Sequence, residues 1–417
     1  MSGVKAAVTS KGRFFSLPRI FFFLALTSLI AAWFIGLSLK EKEDVEQYLG
    51  EVMQMAGEFR VVTFELLDGE TLADGYIYQV NDEEGGGSLG YVTASEGQGY
   101  GGSMTVMLAW SLDGAIESIL VPEHNEDRPW WNALVTKNYF QQYIGRTYSE
   151  PLAIGEDIDA VSGSTVSSVG VISGVRAGRQ ILSEQLGDPY PLPKEPINFG
   201  MPEVLLLVGL GSVVTIRTVP RLKGIKWLRY LVLAFSLGVL GIWLSIPLSL
   251  ANFASWSMGI APRLQTSFIM YILFFGIVGL ALFFGKNYYC FWLCPYAAVQ
   301  EGLHMATANN LRPVVKWWRL LRNTRYLLLW AVLMVAFVLQ NPAVTVFEPW
   351  NPLFSFIGST DQWLLLAITI LAAMFIYNFW CHYLCPVGAM MDLVLKVRKE
   401  VVNLWGNMIR MVVKRRA

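Results

Sequence analysis

Long uncharged hydrophobic runs, separated by short polar connections, make up most of this chain. The first run covers residues 20–39 and is long enough, as a helix, to cross about 30 Å of hydrocarbon. Five further runs lie in the second half of the chain, at residues 199–216, 230–250, 267–285, 326–346 and 363–380. The pattern therefore predicts an α-helical polytopic membrane protein with six spans.

Residues 40–198 follow a different pattern. Short β-branched and aromatic runs alternate with turn residues, and Asp113-Gly114 is typical of a tight hairpin turn. Helical spacing follows at residues 130–144 and 166–182. These features predict an α+β domain inserted between the first and second spans. Its predicted strands are residues 61–67, 75–80, 90–93, 104–110 and 116–121.

Charge divides the chain in the same way. The totals cancel, with 32 basic and 32 acidic residues, but residues 40–198 carry most of the acidic ones. Basic residues collect before the first run, in the connections 217–229 and 286–325, and after residue 386. Since basic connections stay in the cytoplasm, we expect both termini inside and the acidic domain outside the cytoplasmic membrane.

Three parts follow from these patterns. Residues 1–39 are expected to form a cytoplasmic N-terminus and a signal-anchor span, because the apolar run is too long for a cleaved signal peptide. Residues 40–198 form the extracytoplasmic domain, and residues 199–417 form a five-span membrane domain with a basic cytoplasmic tail. A content of 54% hydrophobic and 15% charged residues excludes an ordinary soluble enzyme. No basic face interleaved with aromatics supports nucleic-acid binding.

A dense run of hydroxyl side chains ends the acidic domain. It extends from Asp159 to Ser168 around a single glycine, Gly163. One interpretation is a turn that caps the helix predicted over residues 166–182, because Asp and Ser are common N-cap residues. The other is a phosphate site, since N–H groups at a turn before a helix bind phosphate and a Thr hydroxyl can form a phosphoester.

All four cysteines lie in a duplicated motif. The hairpins 230–301 and 326–392 form an internal repeat, in which the acids Glu301 and Asp392 also correspond. Cysteines four residues apart share one face of a helix, and the following proline breaks that helix. The two copies consist of Cys290, Cys294 and Pro295, and of Cys381, Cys385 and Pro386.

Three interpretations of this motif compete. A reducing cytoplasm disfavours disulfides, and a buried free thiol is ordinary for any single cysteine. Four cysteines confined to one repeated motif favour metal or cluster ligation, and four thiolates suit zinc or an iron–sulfur cluster. The Cys-x-x-x-Cys-Pro spacing does not identify the metal. His304 and His382 lie nearby, and we interpret them as hydrogen-bonded interface residues rather than ligands.

The pattern Asp-x-x-Ser-Gly-Ser-Thr-x-Ser resembles the flavinylation motif of FMN-binding domains, such as that of the C subunit of sodium-pumping NADH:quinone reductases. The resemblance implies that a separate flavin transferase attaches FMN to Thr165 through a phosphodiester. Ser164 stands where that family usually has Ala. Two other segments, residues 100–104 and 124–126, resemble parts of the family that approach the flavin. The alternatives are a plain glycine loop for the first and a surface histidine for the second. The implied cofactor-binding residues are Thr165, Asp159, Ser162, Gly163, Ser164, His124, Glu126, Gly101 and Gly102.

The whole arrangement resembles the NosR/NirI family of membrane FMN-binding proteins. Longer members continue into a cytoplasmic two-cluster ferredoxin domain, and this chain ends at Ala417 without further cysteines. It is thus similar to the short PceC-type proteins of organohalide respiration. The resemblance implies an electron-transfer flavoprotein component rather than a stand-alone enzyme.

In that hypothesis a quinol or a cytoplasmic donor supplies electrons to a cysteine-ligated iron–sulfur cluster. FMN then passes them to an exported terminal reductase or electron carrier. The cysteines are expected inside and the flavin outside, about 30 Å apart, so a quinone or a second cofactor is expected between them. The alternative is a redox-sensing regulatory or maturation protein without catalytic flux.

Overall fold

The computed structural model describes residues 17–39, 45–55, 62–67, 75–82, 87–190, 197, 199–262, 264–265, 267–307 and 315–416. Residue 61 of the first predicted strand and the basic residues before position 17 lie outside this set. The first apolar run forms helix α1 (Leu17–Leu39). The inserted domain, residues 40–198, contains helices α2 (Leu49–Met55), α3 (Arg128–Thr136) and α4 (Thr165–Gln185), with 3₁₀ turns at Val45–Tyr48 and Tyr139–Tyr143.

The inserted domain contains one antiparallel sheet with strand order β1-β2-β3-β4-β5. Each strand pairs with its sequence neighbour, as the short predicted turns require. The structure thus confirms the predicted α+β domain, although β3 is much longer than the predicted strand 90–93. The strands are β1 (Val62–Leu66), β2 (Gly75–Asp82), β3 (Ser88–Gln98), β4 (Ser103–Ser111) and β5 (Ile116–Leu120).

Helix α4 lies directly on β3 and β4 because glycines remove the side chains between them. A Cβ atom on Gly174 would stand 2.4 Å from Cγ2 of Val106, and one on Gly97 would stand 2.2 Å from the Gly170 carbonyl oxygen. The close packing fixes the start of α4, and with it the hydroxyl run, relative to the sheet.

The predicted helix over residues 130–144 is two shorter pieces. Helix α3 ends at Thr136, and Asn138 takes a left-handed conformation with φ 53° before the 3₁₀ turn at Tyr139–Tyr143. This break buries both tyrosines completely and lets the Tyr139 hydroxyl donate to the Ser168 carbonyl oxygen at 2.9 Å. The turn therefore supports the helix that carries the hydroxyl run.

Helices are the only regular secondary structure among the described residues of the membrane domain. Four helical segments of the chain are long and apolar enough to cross a membrane, namely Phe21–Leu39, Met201–Thr218, Lys226–Trp243 and Arg322–Leu339. Shorter apolar helices cover Phe268–Phe284 and Thr360–Phe375, so an apolar helix stands at each of the six predicted positions. The helices of this domain are α5 (Met201–Thr218), α6 (Pro220–Lys223), α7 (Lys226–Phe235), α8 (Leu250–Ser257), α9 (Phe268–Phe284), α10 (Pro295–Thr307), α11 (Val315–Leu339), α12 (Trp350–Ser355), α13 (Thr360–Phe375), α14 (Phe379–Tyr383) and α15 (Pro386–Arg416).

Two of the predicted spans end early. Helix α7 continues as a π-helix over Ser236–Trp243 and then stops, with Ser245 at φ 52° two residues before Pro247. Helix α11 stops at Leu339, with Gln340 at φ 48° two residues before Pro342. Proline cannot donate a backbone hydrogen bond and disfavours helical geometry at the preceding residue, so each helix ends before it.

The chain after each stop turns back into the bundle. We call residues 244–262 and 340–359 the first and second re-entrant segments, because they carry the short helices α8 and α12 among buried positions. Leu248 and Leu250 of the first segment and Trp350 and Phe354 of the second are at most 5% exposed. Residues 244–250 and 340–346, predicted to complete two spans, form these turns instead.

The internal repeat is visible in two ion pairs. Arg229 binds Glu301 through two hydrogen bonds of 2.8 and 2.5 Å, and Arg325 binds Asp392 in the corresponding place. Each arginine precedes a tyrosine at the start of its own hairpin. Glu301 and Asp392, which correspond in the repeat, therefore form the same kind of ion pair in both copies.

Candidate functional site

The hydroxyl run surrounds the start of helix α4. Gly163 has φ 87°, a conformation that favours glycine. Ser164 occupies the N-cap position, yet its side chain makes no capping bond and donates instead to the Trp130 carbonyl oxygen at 3.0 Å. Ser168 accepts the Val161 N–H at 3.1 Å. The run thus forms the turn before the helix, as the capping interpretation predicts, but Ser164 makes no side-chain capping bond.

The exposure of the hydroxyls separates Thr165 from its neighbours. Ser164, Ser167 and Ser168 are at most 3% exposed, whereas Thr165 and Ser162 are exposed. Thr165 is also the first residue of α4, where backbone N–H groups lack partners inside the helix. The partial positive charge of a 21-residue helix favours a phosphate at this end. These residues fit a phosphodiester on Thr165.

Glu126 joins two of the predicted cofactor segments. One carboxylate oxygen accepts the Gly101 N–H at 2.7 Å, and the other accepts the Ser167 hydroxyl in a short hydrogen bond. Gly101 needs no side chain here, since a Cβ atom would stand 1.9 Å from the Asn125 carbonyl oxygen. Burial raises the pKa of Glu126, and these hydrogen bonds act against that rise. The glycine loop is thereby locked to the start of α4.

His124 and Asp127 flank this network with polar atoms that have no partner. The His124 ring stacks on Trp131 with ring centroids 3.7 Å apart, and its buried Nδ1 is without a partner among the described residues. Oδ2 of Asp127 is likewise buried and has no hydrogen-bond partner among the described residues. Burial lowers the pKa of His124 and raises that of Asp127 to about 6. Asp159, in contrast, is exposed and is held through backbone bonds to Gln142.

All three cofactor segments face the re-entrant segments of the membrane domain. The Tyr100 hydroxyl, beside Gly101, lies 3.3 Å from the Ser249 hydroxyl. A side-chain hydrogen bond of 3.2 Å joins Asn341 to Asn125.

Gly163 is so close to the second re-entrant segment that a Cβ atom would stand 2.5 Å from Cδ1 of Ile357. A Cβ atom on Gly102 would stand 3.5 Å from Cδ1 of Ile260 in the first re-entrant segment. Sequence analysis missed this interface, because hydropathy assigns Ser249 and Asn341 to spans and leaves Ile260 and Ile357 in the connections that follow.

The four cysteine thiols come together in the membrane domain. Electrostatic interactions link all six pairs among them. Their helical turns are wider than expected, since the Cys294 N–H bonds the Tyr289 carbonyl oxygen and the Cys385 N–H bonds that of Trp380, each five residues back. The predicted α-helical spacing is corrected to a π-type turn, a feature that is frequent at functional sites.

Donors from both repeats point at the sulfur atoms. The Gln300 side-chain amide lies 3.1 Å from Sγ of Cys381, and the Gly388 N–H lies 3.3 Å from Sγ of Cys385. The carbonyl groups of Cys294 and Cys385 accept the first helical hydrogen bonds of α10 and α15. Two helix N-termini therefore favour negative charge at this centre.

Four thiolates are the donor set of an iron–sulfur cluster. Among the residues that the structure describes, no group of three His, Cys, Asp or Glu side chains is placed to hold a metal ion. His382 bonds the Asn378 carbonyl oxygen at 3.1 Å, and His304 packs edge-on against Tyr377, as interface residues do.

A short chain of contacts connects the cysteine centre with the inserted domain. The hydroxyl of Tyr289, the neighbour of Cys290, accepts the Leu248 N–H at 2.7 Å. Ser249 follows Leu248 and touches Tyr100. Two tyrosine side chains and one dipeptide therefore connect residues beside the two sites, and the expected separation of about 30 Å between cysteines and flavin stays a prediction.

Glu348 of the second re-entrant segment lies beside this chain. It is 0% exposed, and one of its carboxylate oxygens accepts the N–H of Leu250 at 2.7 Å. The residue is outside the candidate spans, and burial raises its pKa to about 8. Sequence analysis missed it, although a lone acid between Phe347 and Pro349 in an apolar stretch was a usable signal.

Two protein families match the two sites. Residues 99–180 match the FMN-binding domain family, and this range holds all nine predicted cofactor residues. Residues 266–313 and 363–404 match the 4Fe-4S binding domain family, and each of these ranges contains one cysteine motif.

Several known proteins are similar to parts of the chain. Protein NirI of Paracoccus denitrificans is 31% identical over 47% of this chain and 30% of its own length. Regulatory protein NosR of Pseudomonas aeruginosa is 28% identical over 44% of this chain and 27% of its own length. One component of the proton-translocating ferredoxin:NAD(+) oxidoreductase complex of Clostridium ljungdahlii is 28% identical over 22% of this chain and 54% of its own length.

The aligned part thus covers less than a third of NirI and NosR and about half of the Clostridium ljungdahlii protein. Both the relatives and the two matched domains agree with the apolar helices and the α+β domain of the structure. The chain is therefore similar to the NosR/NirI type of membrane proteins, and it contains regions that match an FMN-binding and a 4Fe-4S binding domain.

Proposed function

We propose that this protein transfers electrons between an iron–sulfur cluster held by Cys290, Cys294, Cys381 and Cys385 and an FMN bound covalently to Thr165. The observation that supports this most is the contact chain from Tyr289 through Leu248 and Ser249 to Tyr100. It joins residues beside the two sites through two tyrosine side chains, hydrogen bonds and one peptide unit, and so supports a route for the electron.

The residues of the chain have separate roles in this proposal. Thr165 is the attachment point, Gly163 and Ser164 shape the turn before it, and Glu126 fixes the loop at Gly101. When bound, FMN exchanges one or two electrons and the cluster exchanges one. In the membrane domain, Gln300 and the N-termini of α10 and α15 offset the negative charge of four thiolates.

The partners in this proposal follow from the expected topology. Six spans place both termini in the cytoplasm and the inserted domain outside the cytoplasmic membrane. Electrons come from a quinol or a cytoplasmic donor and leave through FMN to an exported terminal reductase or electron carrier. A flavin transferase matures the protein.

A reduction experiment on the purified full chain, loaded with iron and FMN, tests the proposal. A short-chain quinol should bleach the visible flavin absorption of the wild type. Cys290→Ser should keep the flavin but lose most of this bleaching, and Thr165→Val should lose the covalent flavin itself. Equal bleaching rates in the wild type and Cys290→Ser would contradict transfer through the cysteine centre.

A second candidate is a redox-sensing regulatory or maturation protein. The similarity to NosR of Pseudomonas aeruginosa, a regulatory protein, favours it. The two candidates differ in flux. An electron-transfer component re-oxidises rapidly and repeatedly when its purified acceptor is added, whereas a sensor stays reduced or turns over far more slowly than the acceptor's own reaction.

A further inference from the structure

Glu348 is the buried acid that the proposed electron path leaves unused. It lies in the second re-entrant segment, where its side chain is 0% exposed. One carboxylate oxygen accepts the Leu250 N–H at 2.7 Å, while the other, Oε2, is buried and has no partner in the part of the chain that the structure describes. No ion pair among the described residues includes it.

Such an acid is costly to keep charged. A buried carboxylate without a basic partner destabilises the fold by several kcal/mol, so it takes a proton unless another charge compensates. Buried unpaired acids between redox or transport sites are therefore candidates for proton binding. The free Oε2 is the atom that can hold the proton.

The position of Glu348 connects it with both candidate sites. The ionisable groups that respond electrostatically to its charge are Tyr100 of the inserted domain and Cys385 of the cysteine centre. Helix α8, which donates the Leu250 N–H to it, has no ionisable side chain. Ser249, one residue before Leu250, touches Tyr100. The acid therefore stands beside the contact chain that links the two sites.

We propose that Glu348 binds one proton when the cysteine-ligated centre gains one electron, and releases it when the electron leaves. This inference rests on the proposed electron transfer. The electron comes from the quinol or cytoplasmic donor, and the proton comes from solvent water and adds to Oε2, converting a carboxylate into a carboxylic acid. The added positive charge cancels the added negative charge within the same low-dielectric region.

Redox titration of the purified, iron-loaded full chain in detergent measures the coupling. The midpoint potential of the cluster, followed by electron paramagnetic resonance, should fall by about 59 mV per pH unit above roughly pH 8, because one proton accompanies one electron. Glu348→Gln keeps an oxygen for the Leu250 N–H but cannot take the proton, so its potential should be independent of pH in that range.

Infrared difference spectra between the reduced and oxidised protein, recorded in the same pH range, give an independent readout. The wild type should show a carboxylic-acid C=O band that shifts in D₂O. This band should vanish in Glu348→Gln and move in frequency in Glu348→Asp, a second variant that retains a carboxyl group. Glu203→Gln is the matched control, since Glu203 is a buried carboxylate that accepts the Gly200 N–H at 2.7 Å at the start of α5. It should leave both readouts unchanged.

The outcomes separate this inference from the proposed function. A redox-active cluster whose potential and infrared spectrum are the same in the wild type and Glu348→Gln would overturn the role of Glu348 alone. Wild-type protein without redox-active iron would overturn both. A carboxylic-acid band that disappears equally in Glu203→Gln would also overturn the role of Glu348, because the loss would then be a structural effect.

Discussion

At the scale of single residues, Thr165 is distinguished from three of its four neighbouring hydroxyls by exposure. Ser164, Ser167 and Ser168 are buried and hydrogen-bonded within the domain. A transferase can reach only Thr165 and Ser162 among these side chains, and Thr165 alone begins the helix whose N–H groups favour phosphate. The flavin motif and the local geometry thus indicate the same atom for different reasons.

We expect the full chain produced with a flavin transferase to gain the mass of FMN less water and to stay yellow after denaturation, since a phosphodiester survives unfolding. Thr165→Val should abolish the attachment. It should change the free energy of unfolding by less than about 1 kcal/mol, because the side chain is exposed. Thr165→Ser should retain some attachment.

Ser162→Ala is the matched control for this prediction, because Ser162 is the other exposed hydroxyl. It should carry flavin as the wild type does. Mass spectrometry of the proteolytic peptides decides the position. A modified peptide that maps to Ser162, or a wild-type chain without modification in the presence of the transferase, would show that Thr165 is not the attachment point.

At the scale of elements, the two cysteine motifs act as one unit. Gln300 belongs to the first repeat, yet its amide lies 3.1 Å from Sγ of Cys381 in the second repeat. Its side-chain oxygen also accepts the Trp380 N–H at 2.9 Å. The second motif takes two of its hydrogen bonds from a residue of the first repeat, so we expect one shared centre.

Cys290→Ser alone should therefore abolish most of the bound iron, as measured by metal analysis and visible absorption of the purified protein. His382→Asn serves as the control, because His382 bonds a backbone carbonyl group and is not needed as a ligand in this arrangement. Retention of half the iron in Cys290→Ser would show that each motif binds metal independently. Zinc without visible absorption in the wild type would exclude a redox role for this centre.

The elements also show what the sequence could predict. Apolar runs and turn residues are local signals, so all six apolar helices, the five strands and α4 were predicted close to their places. The duplicated cysteine motif and the hydroxyl run were found because their chemistry is concentrated in a few adjacent residues. The break at Asn138 was missed, since it depends on burying Tyr139 and Tyr143 against the domain core.

The re-entrant segments were missed for a similar reason. Residues 244–250 and 340–346 are apolar enough to complete a span, and hydropathy does not distinguish a helix that crosses the bilayer from a chain that folds back among other helices. Pro247 and Pro342 were the available signals. Glu348 acquires its importance only through these segments, because they place it against Leu250, next to the Ser249 that touches Tyr100.

At the scale of the whole molecule, the orientation in the membrane decides which way electrons can travel. The predicted cofactor segments contact the re-entrant segments, and the contact chain leads from there to Tyr289 beside the cysteine centre. If the predicted cofactor segments lie on the extracytoplasmic side, an electron that leaves the cysteine centre along this chain moves outward.

Reporter fusions to the full chain test this orientation. Alkaline phosphatase joined after residue 190, at the end of the inserted domain, should be active, because that reporter folds only outside the cytoplasm. The same reporter joined after Gly224, in the basic connection before α7, should be inactive, and a fluorescent protein that folds only in the cytoplasm should give the reverse pattern. Phosphatase activity after Gly224 together with inactivity after residue 190 would show that the protein has the opposite orientation in the membrane. The flavin would then face the cytoplasm, and an exported reductase could not be its acceptor.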